Sequence, residues 1–371
     1  MIKVLFLTQN LAGGGAERVL VNLVNNIDRS KFDVTVKTIF FGGVNESRLS
    51  RDVKYFCRGK KLFKGASRVY AFLPTKALYR DIVGKQDYDI VVAYMHGIPT
   101  RVLLGAPKNV KKIAWLHTGD MKNISLFKCF PSKKNAIKAM KQYDAIVGVS
   151  QTVSESFSRC TGITENVYTC YNTNEVEKIL KDAEKAVTLP ELKRPIICSV
   201  GRFTSEKGFS RLIDVSFRLN QEGISHSLML IGDGVLREGL EKKTMNMGYR
   251  DVYFAGFQEN PYAYMNQSDM FVCSSYFEGL STATTEAVIL GLPCVSTDVS
   301  GAREILVEGT QGIVVENTDE ALYNGIKAML KNIAFGKIDR EAIKKSAGKF
   351  TVESTVGKVE ELLISVKERE N

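Results

Sequence analysis

Short apolar runs alternate with longer amphipathic stretches along the whole chain. In the first half, the apolar runs predict strands at residues 2–8, 32–39, 90–93, 113–117 and 145–149. In the second half, they predict strands at residues 196–200, 227–231, 252–255, 270–273 and 293–297. Such runs, flanked by helical patterns, are typical of parallel sheets covered by helices on both faces. The pattern therefore predicts an α/β fold of two doubly wound parallel-sheet domains.

The alternation pauses near residues 171–174, and the charged segment EVEKILKDAEKAVTLPELKRP follows. We interpret this segment as a connection between domains, with the first domain at residues 1–171 and the second at 172–351. Residues 352–369 have the pattern of an amphipathic helix. A chain of 371 residues is too long for one compact core, which agrees with two domains.

Charge is divided unevenly between the two halves. Residues 1–170 carry 27 Lys and Arg against 12 Asp and Glu, a net charge of +15, and the remainder carries 24 against 29, a net of −5. The overall charge of +10 therefore belongs to the first half. We expect that half to meet an anionic partner, which leaves a membrane surface, a nucleic acid or a phosphorylated substrate.

The composition also indicates the cellular compartment in which the protein is expected. The seven cysteines are scattered and never form C-x-x-C, which indicates a reducing cytoplasm and neither a disulfide framework nor a zinc site. The chain opens directly into an apolar strand, and no uncharged apolar run approaches the ~20 residues of a membrane-spanning helix. We therefore expect a cytoplasmic protein without a signal peptide or a membrane-spanning helix.

Two segments of the first half, residues 53–85 and 125–143, mix basic and aromatic side chains. In the second segment, Leu126, Phe127 and Phe130 stand among five lysines. Exposed aromatics beside basic charge are typical of a surface that binds anionic lipid, although a core helix with a solvated basic face gives the same pattern. The net charge favours lipid, with the protein peripheral on the inner face of the membrane. Nucleic acid is disfavoured because no nucleic-acid-binding motif occurs.

The most informative stretch covers residues 277–298, FEGLSTATTEAVILGLPCVSTD. Glu278 precedes a polar turn, and Glu286 follows on a helix predicted to begin near Thr282. Ser281 and Thr282 are favourable N-cap residues, so the free amides of the first turn can hold an anion. A carboxylate on each side of an anion suits a nucleotide-sugar, whose diphosphate lies between two hydroxyl-rich groups. The spacing alone also fits a surface carboxylate followed by an ordinary helix residue.

A second motif, SVGRFTSEKGFSRLI, follows the first strand of the second domain. It places Arg202 and Lys207 on a loop at the carboxyl edge of the sheet, where open α/β sheets bind ligands. Two cations there can neutralise a diphosphate. The alternative is a solvated basic loop.

Two further motifs are less specific. The turn QNLAGGGAER joins the first strand to the first helix, but residues 13–15 do not fit G-x-G-x-x-G, and a tight turn with positive φ explains them equally well. The D-x-D sequence at residues 87–89 precedes a strand instead of following one. We therefore interpret it as a turn between a helix and a strand, and no metal site is predicted there.

Taken together, these motifs resemble the family 4 retaining glycosyltransferases, which have the GT-B fold. EGLSTATTEA resembles the E-x7-E signature of that family, GRFTSEKG its G-R-x(4)-K-G motif, and GGAE its first-domain glycine motif. The matches run from residue 13 to residue 304 in the family's order. The resemblance implies two Rossmann-like domains with a cleft between them, and a C-terminal helix at about 352–371 that returns to the first domain.

The resemblance also implies roles for single residues. Arg202 and Lys207 would contact the donor diphosphate, Glu278 would position the donor sugar, and His117 would match the family's cleft histidine; these four are the predicted catalytic residues. Glu286 would bind the ribose. The implied donor-binding residues are those along the glycine-rich loops and the E-x7-E motif: Gly14, Gly15, Gly232, Gly234, Gly256, Phe257, Gln258, Gly279, Leu280, Ser281, Thr282 and Glu286. No metal and no cofactor is implied, since the nucleotide-sugar is a substrate.

The implied reaction is metal-independent transfer of a sugar, with retention, from a nucleoside diphosphate sugar to a saccharide. UDP is favoured, and the acceptor is expected to be linked to a polyprenyl pyrophosphate in capsule, exopolysaccharide or O-antigen synthesis. Two alternatives stay open. One is a UDP-sugar 2-epimerase of the same fold, and the other is a non-catalytic protein that binds nucleotides or polyanions.

Overall fold

The computed structural model describes residues 1–61, 63, 65–121, 125–307 and 312–369. The chain divides into two compact units: unit 1 contains Met1–Asn174 and Val352–Asn371, and unit 2 contains Glu175–Thr351. The sequence placed the boundary after residue 171. Each unit holds one sheet whose strands all pair in parallel, which confirms the predicted pair of Rossmann-like α/β folds.

Unit 1 is built on a seven-stranded sheet. Its strands are β1 (Ile2–Thr8), β2 (Phe32–Phe40), β3 (Lys54–Lys60), β4 (Ile90–Ala93), β5 (Lys111–Leu116), β6 (Ala145–Gly148) and β7 (Val167–Thr169). They lie in the order β3-β2-β1-β4-β5-β6-β7. The chain therefore winds outward in one direction from β1 and in the other from β4, so the loops after these two strands flank a topological switch point.

The helices between these strands have apolar spacing that turns one face to the sheet. They are α1 (Gly15–Asn26), α2 (Ala66–Phe72), α3 (Thr75–Ile82), α4 (Ile98–Leu103), α5 (Ser125–Lys128), α6 (Lys133–Met140) and α7 (Gln151–Thr161), with a 3₁₀ turn at Glu46–Arg48. In α1, for example, Val19, Leu20, Leu23 and Val24 are buried. That i, i+1, i+4, i+5 stripe is the one expected for a helix packed on a sheet.

Unit 2 repeats this plan on a six-stranded sheet. Its strands are β8 (Ile196–Val200), β9 (Ser227–Ile231), β10 (Val252–Gly256), β11 (Met270–Cys273), β12 (Cys294–Thr297) and β13 (Gly312–Val315). The order β10-β9-β8-β11-β12-β13 puts the switch point between β8 and β11. Residues that bind a ligand are therefore expected on the loops that follow β8 and β11.

The helices of unit 2 cover both faces of its sheet. They are α8 (Val176–Ala183), α9 (Phe209–Gln221), α10 (Arg237–Asn246), α11 (Pro261–Asn266), α12 (Thr282–Ile289), α13 (Ala302–Ile305), α14 (Asp319–Ala334) and α15 (Arg340–Ser346), with 3₁₀ turns at Ser205–Lys207 and Ala347–Phe350. Helix α12 is buried from Thr284 to Ile289, because it packs against β11, β12 and α15. It is thus a core helix that carries polar residues at its N-terminus.

The last helix, α16 (Val352–Glu368), belongs to unit 1 although it follows unit 2 in sequence. Its apolar face, which includes Val359 and Leu363, is buried. The carboxylate of Glu360 accepts a hydrogen bond from the amide of Asp28 at 2.8 Å. Long-range contacts of this kind make α16 part of the unit 1 core.

One prediction about local structure is wrong, and for a second segment the structure favours one of the two alternatives left open. The charged segment after residue 174 is not a bare connection, because it forms α8, which packs on α11; the amide of Asn260 donates to the carbonyl of Asp182 at 2.7 Å. In the second basic segment, Leu126 and Phe130 are buried in the core, Phe127 is half-buried, and the lysines face solvent. That segment is a core element with a solvated basic face.

Candidate active site

Residues of the two motifs of the second domain come together at the switch point of unit 2. Lys207 ends the 3₁₀ turn after β8, and Glu278 lies on the loop after β11. The ammonium of Lys207 is 2.6 Å from Oε1 of Glu278, and the same oxygen accepts a hydrogen bond from Ser275 Oγ at 2.7 Å. Two motifs about 70 residues apart in sequence thus meet as one ion pair.

The two loops are also joined through their backbones. Arg211, buried on α9, donates to the carbonyls of Ser274 and Ser275 at 2.8 and 2.7 Å, and Ser274 Oγ donates to the carbonyl of Lys207 at 2.9 Å. Gly208 has φ +65°, and a Cβ on it would lie 2.1 Å from the carbonyl oxygen of Ser274. Only glycine permits so close an approach in that conformation. The Lys207–Glu278 pair is therefore held by a rigid junction.

The two cations of the loop after β8 differ in burial and in ion pairing. Burial lowers the pKa of Lys207, but the adjacent carboxylate of Glu278 raises it by more, so the net pKa lies above the usual value. Lys207 is therefore a protonated ammonium at neutral pH. Arg202 is exposed, and within the described part of the chain its guanidinium makes no ion pair. It is available to an anionic ligand at the same edge of the sheet.

The loops after β8 and β9 approach each other so closely that glycine is required. A Cβ on Gly232 would lie 1.9 Å from the carbonyl oxygen of Gly201, and one on Gly234 would lie 2.6 Å from that of Phe203. The amide of Phe203 donates to the carbonyl of Asp233 at 2.8 Å. These glycines let the two loops pack backbone against backbone.

Helix α12 begins at Thr282, as the sequence predicted. Ser281 is its N-cap, with Oγ accepting a hydrogen bond from the amide of Thr284 at 3.3 Å. The next loop packs against the turn before the helix, since a Cβ on Gly301 would lie 2.8 Å from the carbonyl oxygen of Gly279 and 2.7 Å from Cδ1 of Leu280. The capped N-terminus of a buried helix thus lies four residues beyond Glu278.

The second carboxylate of the E-x7-E motif lies deeper than the first. Glu286 is buried on α12, and Oε1 accepts a hydrogen bond from the hydroxyl of Tyr262 on α11 at 3.2 Å. The spacing of the motif did not indicate this contact with Tyr262. Because Tyr262 lies at the start of α11, the hydrogen bond connects that helix to the carboxylate of Glu286.

Aromatic side chains border the same edge of unit 2. Phe257, directly after β10, is about half exposed, and Gln258 donates to the carbonyl of Ala255 at 2.6 Å. Tyr276 and Phe277 are also exposed, and the guanidinium of Arg211 lies 3.8 Å from the centroid of the Tyr276 ring. Tyr276 and Phe277 were not among the predicted site residues. The signal was available, because both aromatics immediately precede Glu278.

In unit 1, the predicted histidine lies at the carboxyl end of β5. The ring of His117 packs on that of Tyr94, with centroids 4.8 Å apart. Burial, assisted by the nearby His96, lowers the pKa of His117 to about 3, and burial lowers that of His96 to about 4. Both imidazoles are therefore neutral at pH 7. His96 was missed in the sequence, although it follows β4 at the same edge of the sheet.

The glycine-rich turn of unit 1 forms the N-terminus of α1. Gly14 is the N-cap and Gly15 the first helical residue. Gly14 has φ −83° and ψ 161°, so the interpretation as a turn requiring positive φ is wrong at this position. The carboxylate of Glu17 lies over Gly14, with Oε2 only 2.1 Å from where a Cβ would stand. The absent side chain makes room for that carboxylate.

The D-x-D sequence forms the turn before β4, as predicted. Asp89 accepts hydrogen bonds from the amide of Lys3 at 2.8 Å and from the ammonium of Lys367 at 2.5 Å. Those bonds use the carboxylate to attach β1 and α16. Among the residues that the structure describes, no group of three or more His, Cys, Asp or Glu side chains is placed to hold a metal ion.

These features define a class: two Rossmann-like units, each with candidate site residues on the loops that follow its strands at one edge of the sheet. Over 98% of this chain and 100% of the other, the fold matches that of Anabaena HepE in complex with UDP and glucose, with a TM-score of 0.76 and 19% identity. That likeness establishes the GT-B fold predicted from the sequence.

The family follows from sequence comparison. Residues 13–177 match the model for "Glycosyltransferase Family 4", and residues 181–350 match that for "Glycosyl transferases group 1". The two matches together cover nearly the whole chain. The chain belongs to this family of glycosyltransferases, which confirms the resemblance drawn from its motifs.

Two named relatives illustrate the match. The N-acetylgalactosamine-N,N'-diacetylbacillosaminyl-diphospho-undecaprenol 4-alpha-N-acetylgalactosaminyltransferase of Campylobacter jejuni is 33% identical over 184 residues, 48% of each chain. The lipopolysaccharide core biosynthesis glycosyltransferase LpsE of Rhizobium meliloti is 36% identical over 126 residues, 34% of this chain and 36% of that one. The chain spans about half the length, or less, of these curated relatives.

Proposed function

We propose that this protein transfers a sugar from a nucleoside diphosphate sugar to a saccharide acceptor during synthesis of a cell-surface polysaccharide. The observation that carries the proposal is the Lys207–Glu278 pair, 2.6 Å between charged atoms, at the switch point of unit 2. A cation for the diphosphate and a carboxylate for the sugar hydroxyls stand side by side there. An unpaired Arg202 on the same loop adds a second positive charge for the leaving group.

The reaction follows from how this edge handles charge. As the bond between sugar and diphosphate breaks, negative charge grows on the diphosphate, and Lys207, Arg202 and the amides at the start of α12 stabilise it without having to reorganise. We infer that these groups suffice, so that no metal is needed. Retention then follows from attack on the face that the diphosphate leaves, with a diphosphate oxygen accepting the proton of the acceptor hydroxyl. Glu278 positions the sugar and does not act as a covalent nucleophile.

The remaining predicted residues receive roles consistent with their surroundings. Gly232, Gly234 and Gly256 are assigned to binding the nucleotide through the backbone of their loops, and the exposed ring of Phe257 offers a surface on which a base can stack. Glu286 is assigned to the ribose and the neutral imidazole of His117 to the donor sugar. UDP is the favoured nucleotide, which is supported by the UDP bound to HepE.

The acceptor is inferred to be a saccharide on a polyprenyl pyrophosphate. The support is the Campylobacter relative, whose name specifies a diphospho-undecaprenol acceptor. An enzyme with such an acceptor works at a membrane surface, and we place it on the cytoplasmic face. None of the helices that the structure describes is both long and apolar enough to cross a bilayer. We assign association with the membrane to a surface of unit 1, on the ground of its net positive charge.

Substitution of the two cations tests the proposal. With UDP-sugars as donors, we expect Lys207→Ala and Arg202→Ala each to lower both donor hydrolysis and transfer by about 100-fold or more, the loss typical of removing one donor to a developing anion. Lys331→Ala, which removes an exposed lysine from α14, serves as the control. Activity should be unchanged by a metal chelator.

Two results would contradict the proposal. Retention of most transfer activity by Lys207→Ala would show that the leaving group is stabilised elsewhere. Conversion of UDP-N-acetylglucosamine to its 2-epimer without any acceptor would instead identify the epimerase.

A further inference from the structure

Exposed apolar side chains are concentrated in one part of unit 1. Seven of the sixteen large hydrophobic residues that are exposed among the described residues fall between residues 41 and 73. The most exposed of them is Phe72, at 77%, and Val69 and Leu73 beside it are 50% and 40% exposed. Val69 and Phe72 lie three apart on α2 and therefore project from the same side of the helix.

We propose that unit 1 docks on anionic lipid bilayers through this side of α2 and the turn into α3. We name it the α2 face and define it by Arg68, Val69, Phe72, Leu73 and Lys76. It deepens the proposed function, because an acceptor linked to a lipid pyrophosphate must be met at a membrane surface. The docking itself does not depend on catalysis.

The inner side of α2 fixes which residues point outward. Tyr70 is buried, with its ring packed edge-on against Phe40 of the sheet at 6.5 Å between centroids. Arg101 on α4 donates to the carbonyl of Tyr70 at 3.2 Å and to that of Leu73 at 3.1 Å. Helix α2 is therefore held on its sheet-facing side by Tyr70 and at its C-terminal end by Arg101. Val69 and Phe72 are the side chains this packing leaves exposed.

The charged residues along the stretch of sequence that carries the α2 face are all of one sign. Residues 53–80 contain eight Lys and Arg and no Asp or Glu. Arg68 and Lys76 are both exposed, and neither forms an ion pair within the described parts of the chain. Basic residues near a bilayer surface gain about 1 kcal/mol each from anionic headgroups. Charge and apolar exposure thus coincide on one short helix.

The apolar residues identify a membrane as the partner in preference to a nucleic acid. Val69 and Leu73 are aliphatic and cannot stack on bases, whereas they gain free energy on entering the boundary between headgroups and acyl chains. The second basic segment provides an internal comparison. There, Leu126 and Phe130 are buried and Phe127 is half-buried, so that segment exposes much less apolar surface beside its charges.

The experiment is flotation of the full-length protein with vesicles, in the absence of donor and acceptor. The probes are vesicles of phosphatidylcholine alone and of phosphatidylcholine with phosphatidylglycerol. We expect binding only to the anionic vesicles, with release as the salt concentration rises above about 0.1 M. Phe72→Ala should weaken binding about tenfold, and Arg68→Ala with Lys76→Ala together roughly 20- to 30-fold.

Matched variants make the test specific to this surface. Phe335→Ala removes a comparably exposed phenylalanine, at 64%, from unit 2, and Lys134→Ala with Lys138→Ala removes the same charge from exposed positions of α6. We expect both controls to bind vesicles to within about threefold of the unsubstituted protein, because nonspecific charge effects of two residues across a Debye length are small. Equal losses in the α2-face and control variants would overturn the proposal.

Two further outcomes bear on the proposal. Binding that ignores lipid charge would overturn it, and so would binding of the protein to duplex DNA with the same dependence on Arg68 and Lys76. Donor hydrolysis, measured in parallel without vesicles, separates this inference from the proposed function. Vesicle binding by a protein that hydrolyses no nucleotide-sugar would leave the α2 face assigned and reject the enzyme.

Discussion

At the scale of single residues, Lys207 has two possible anionic partners. In the structure it is paired with Glu278 at 2.6 Å, and in the proposed reaction it faces a diphosphate. Both side chains are largely buried, with 24% and 12% of their side-chain surface exposed, so the choice between partners takes place in a medium of reduced polarity. Substitution of Lys207 and substitution of Glu278 should therefore affect nucleotide binding and sugar transfer differently.

We expect Glu278→Gln to separate these effects. The substitution removes the carboxylate that competes for Lys207, so the Kd for UDP should stay equal or fall. Transfer should drop about 100-fold because the sugar loses a positioning group. Lys207→Ala should weaken UDP binding and transfer together. Isothermal titration with UDP and initial rates of transfer check both; equal loss of UDP affinity in the two variants would refute the division of roles.

The two histidines at the sheet edge of unit 1 make stability depend on pH. The pKa values of His117 and His96 are lowered to about 3 and about 4 by burial, against 6.5 in the unfolded chain. Below pH 6.5 the unfolded chain binds more protons than the folded one. The free energy of unfolding is therefore at its full value above pH 6.5 and decreases as the pH falls. At pH 5 we expect a loss of about 1–2 kcal/mol per histidine.

Urea unfolding at pH 7 and pH 5 measures this loss. The variant with His96→Gln and His117→Gln should show a smaller difference between the two pH values. His226 in unit 2, whose pKa is also lowered by burial, remains in that variant and accounts for the residual dependence. An unchanged difference between the two pH values would mean that the two imidazoles bind protons equally well in the folded and the unfolded chain.

At the scale of elements, the loops after β8 and β11 are fastened together by Gly208. Alanine there would put its Cβ 2.1 Å from the carbonyl oxygen of Ser274, at φ +65°. Gly223 is a matched control, since it has φ +81° and nothing within 4 Å of a Cβ. We expect Gly223→Ala to cost about 1–2 kcal/mol for the left-handed backbone. Gly208→Ala should cost roughly twice that or more, because the neighbouring loop must also move.

Melting temperature and transfer rate together report on the junction. We expect Gly208→Ala to lose transfer activity, because displacement of the loop separates Lys207 from Glu278, whereas Gly223→Ala should retain it. Similar melting temperatures and similar rates for the two variants would show that the close contact with Ser274 has no role in holding the site.

Most of the buried strands could be predicted because their sequences carry no competing signal. Residues 2–8, 90–93, 196–200, 227–231 and 270–273 are continuous apolar runs, and the structure has strands with these bounds. The three strands that the sequence did not predict, β3, β7 and β13, all lie at sheet edges. β3 is KYFCRGK, with three charged residues of seven, and β7 has three residues, so neither has the apolar run that identifies a covered strand.

The candidate site could be predicted only in part, because spacing describes loops and not the contacts between them. The sequence identified Lys207 and Glu278 separately, but their 2.6 Å approach depends on the strand order, which brings β8 beside β11. Tyr262 and His96 were missed for the same reason. Tyr262 lies on α11 and His96 on the loop after β4, and no local pattern marks a residue whose partner is distant in sequence.

At the scale of the whole molecule, the C-terminal helix is the clearest long-range dependence. α16 follows unit 2 in sequence but fills the core of unit 1, where Leu363 is wholly buried. Lys367 also holds the turn before β4 through Asp89 at 2.5 Å. The stability of the first 174 residues is therefore set partly by the last twenty, which are synthesised after all of unit 2.

This dependence gives the last prediction. Leu363→Ala should cost unit 1 about 2–5 kcal/mol through the lost burial and the cavity left behind. Hydrogen exchange measured by mass spectrometry should show the largest loss of protection in residues 1–174, because local stability follows the cooperative unit and not the sequence neighbour. Leu322→Ala, which truncates an equally buried leucine on α14, should show the opposite distribution. If Leu363→Ala deprotected residues 175–351 instead, α16 would have to be assigned to the core of unit 2.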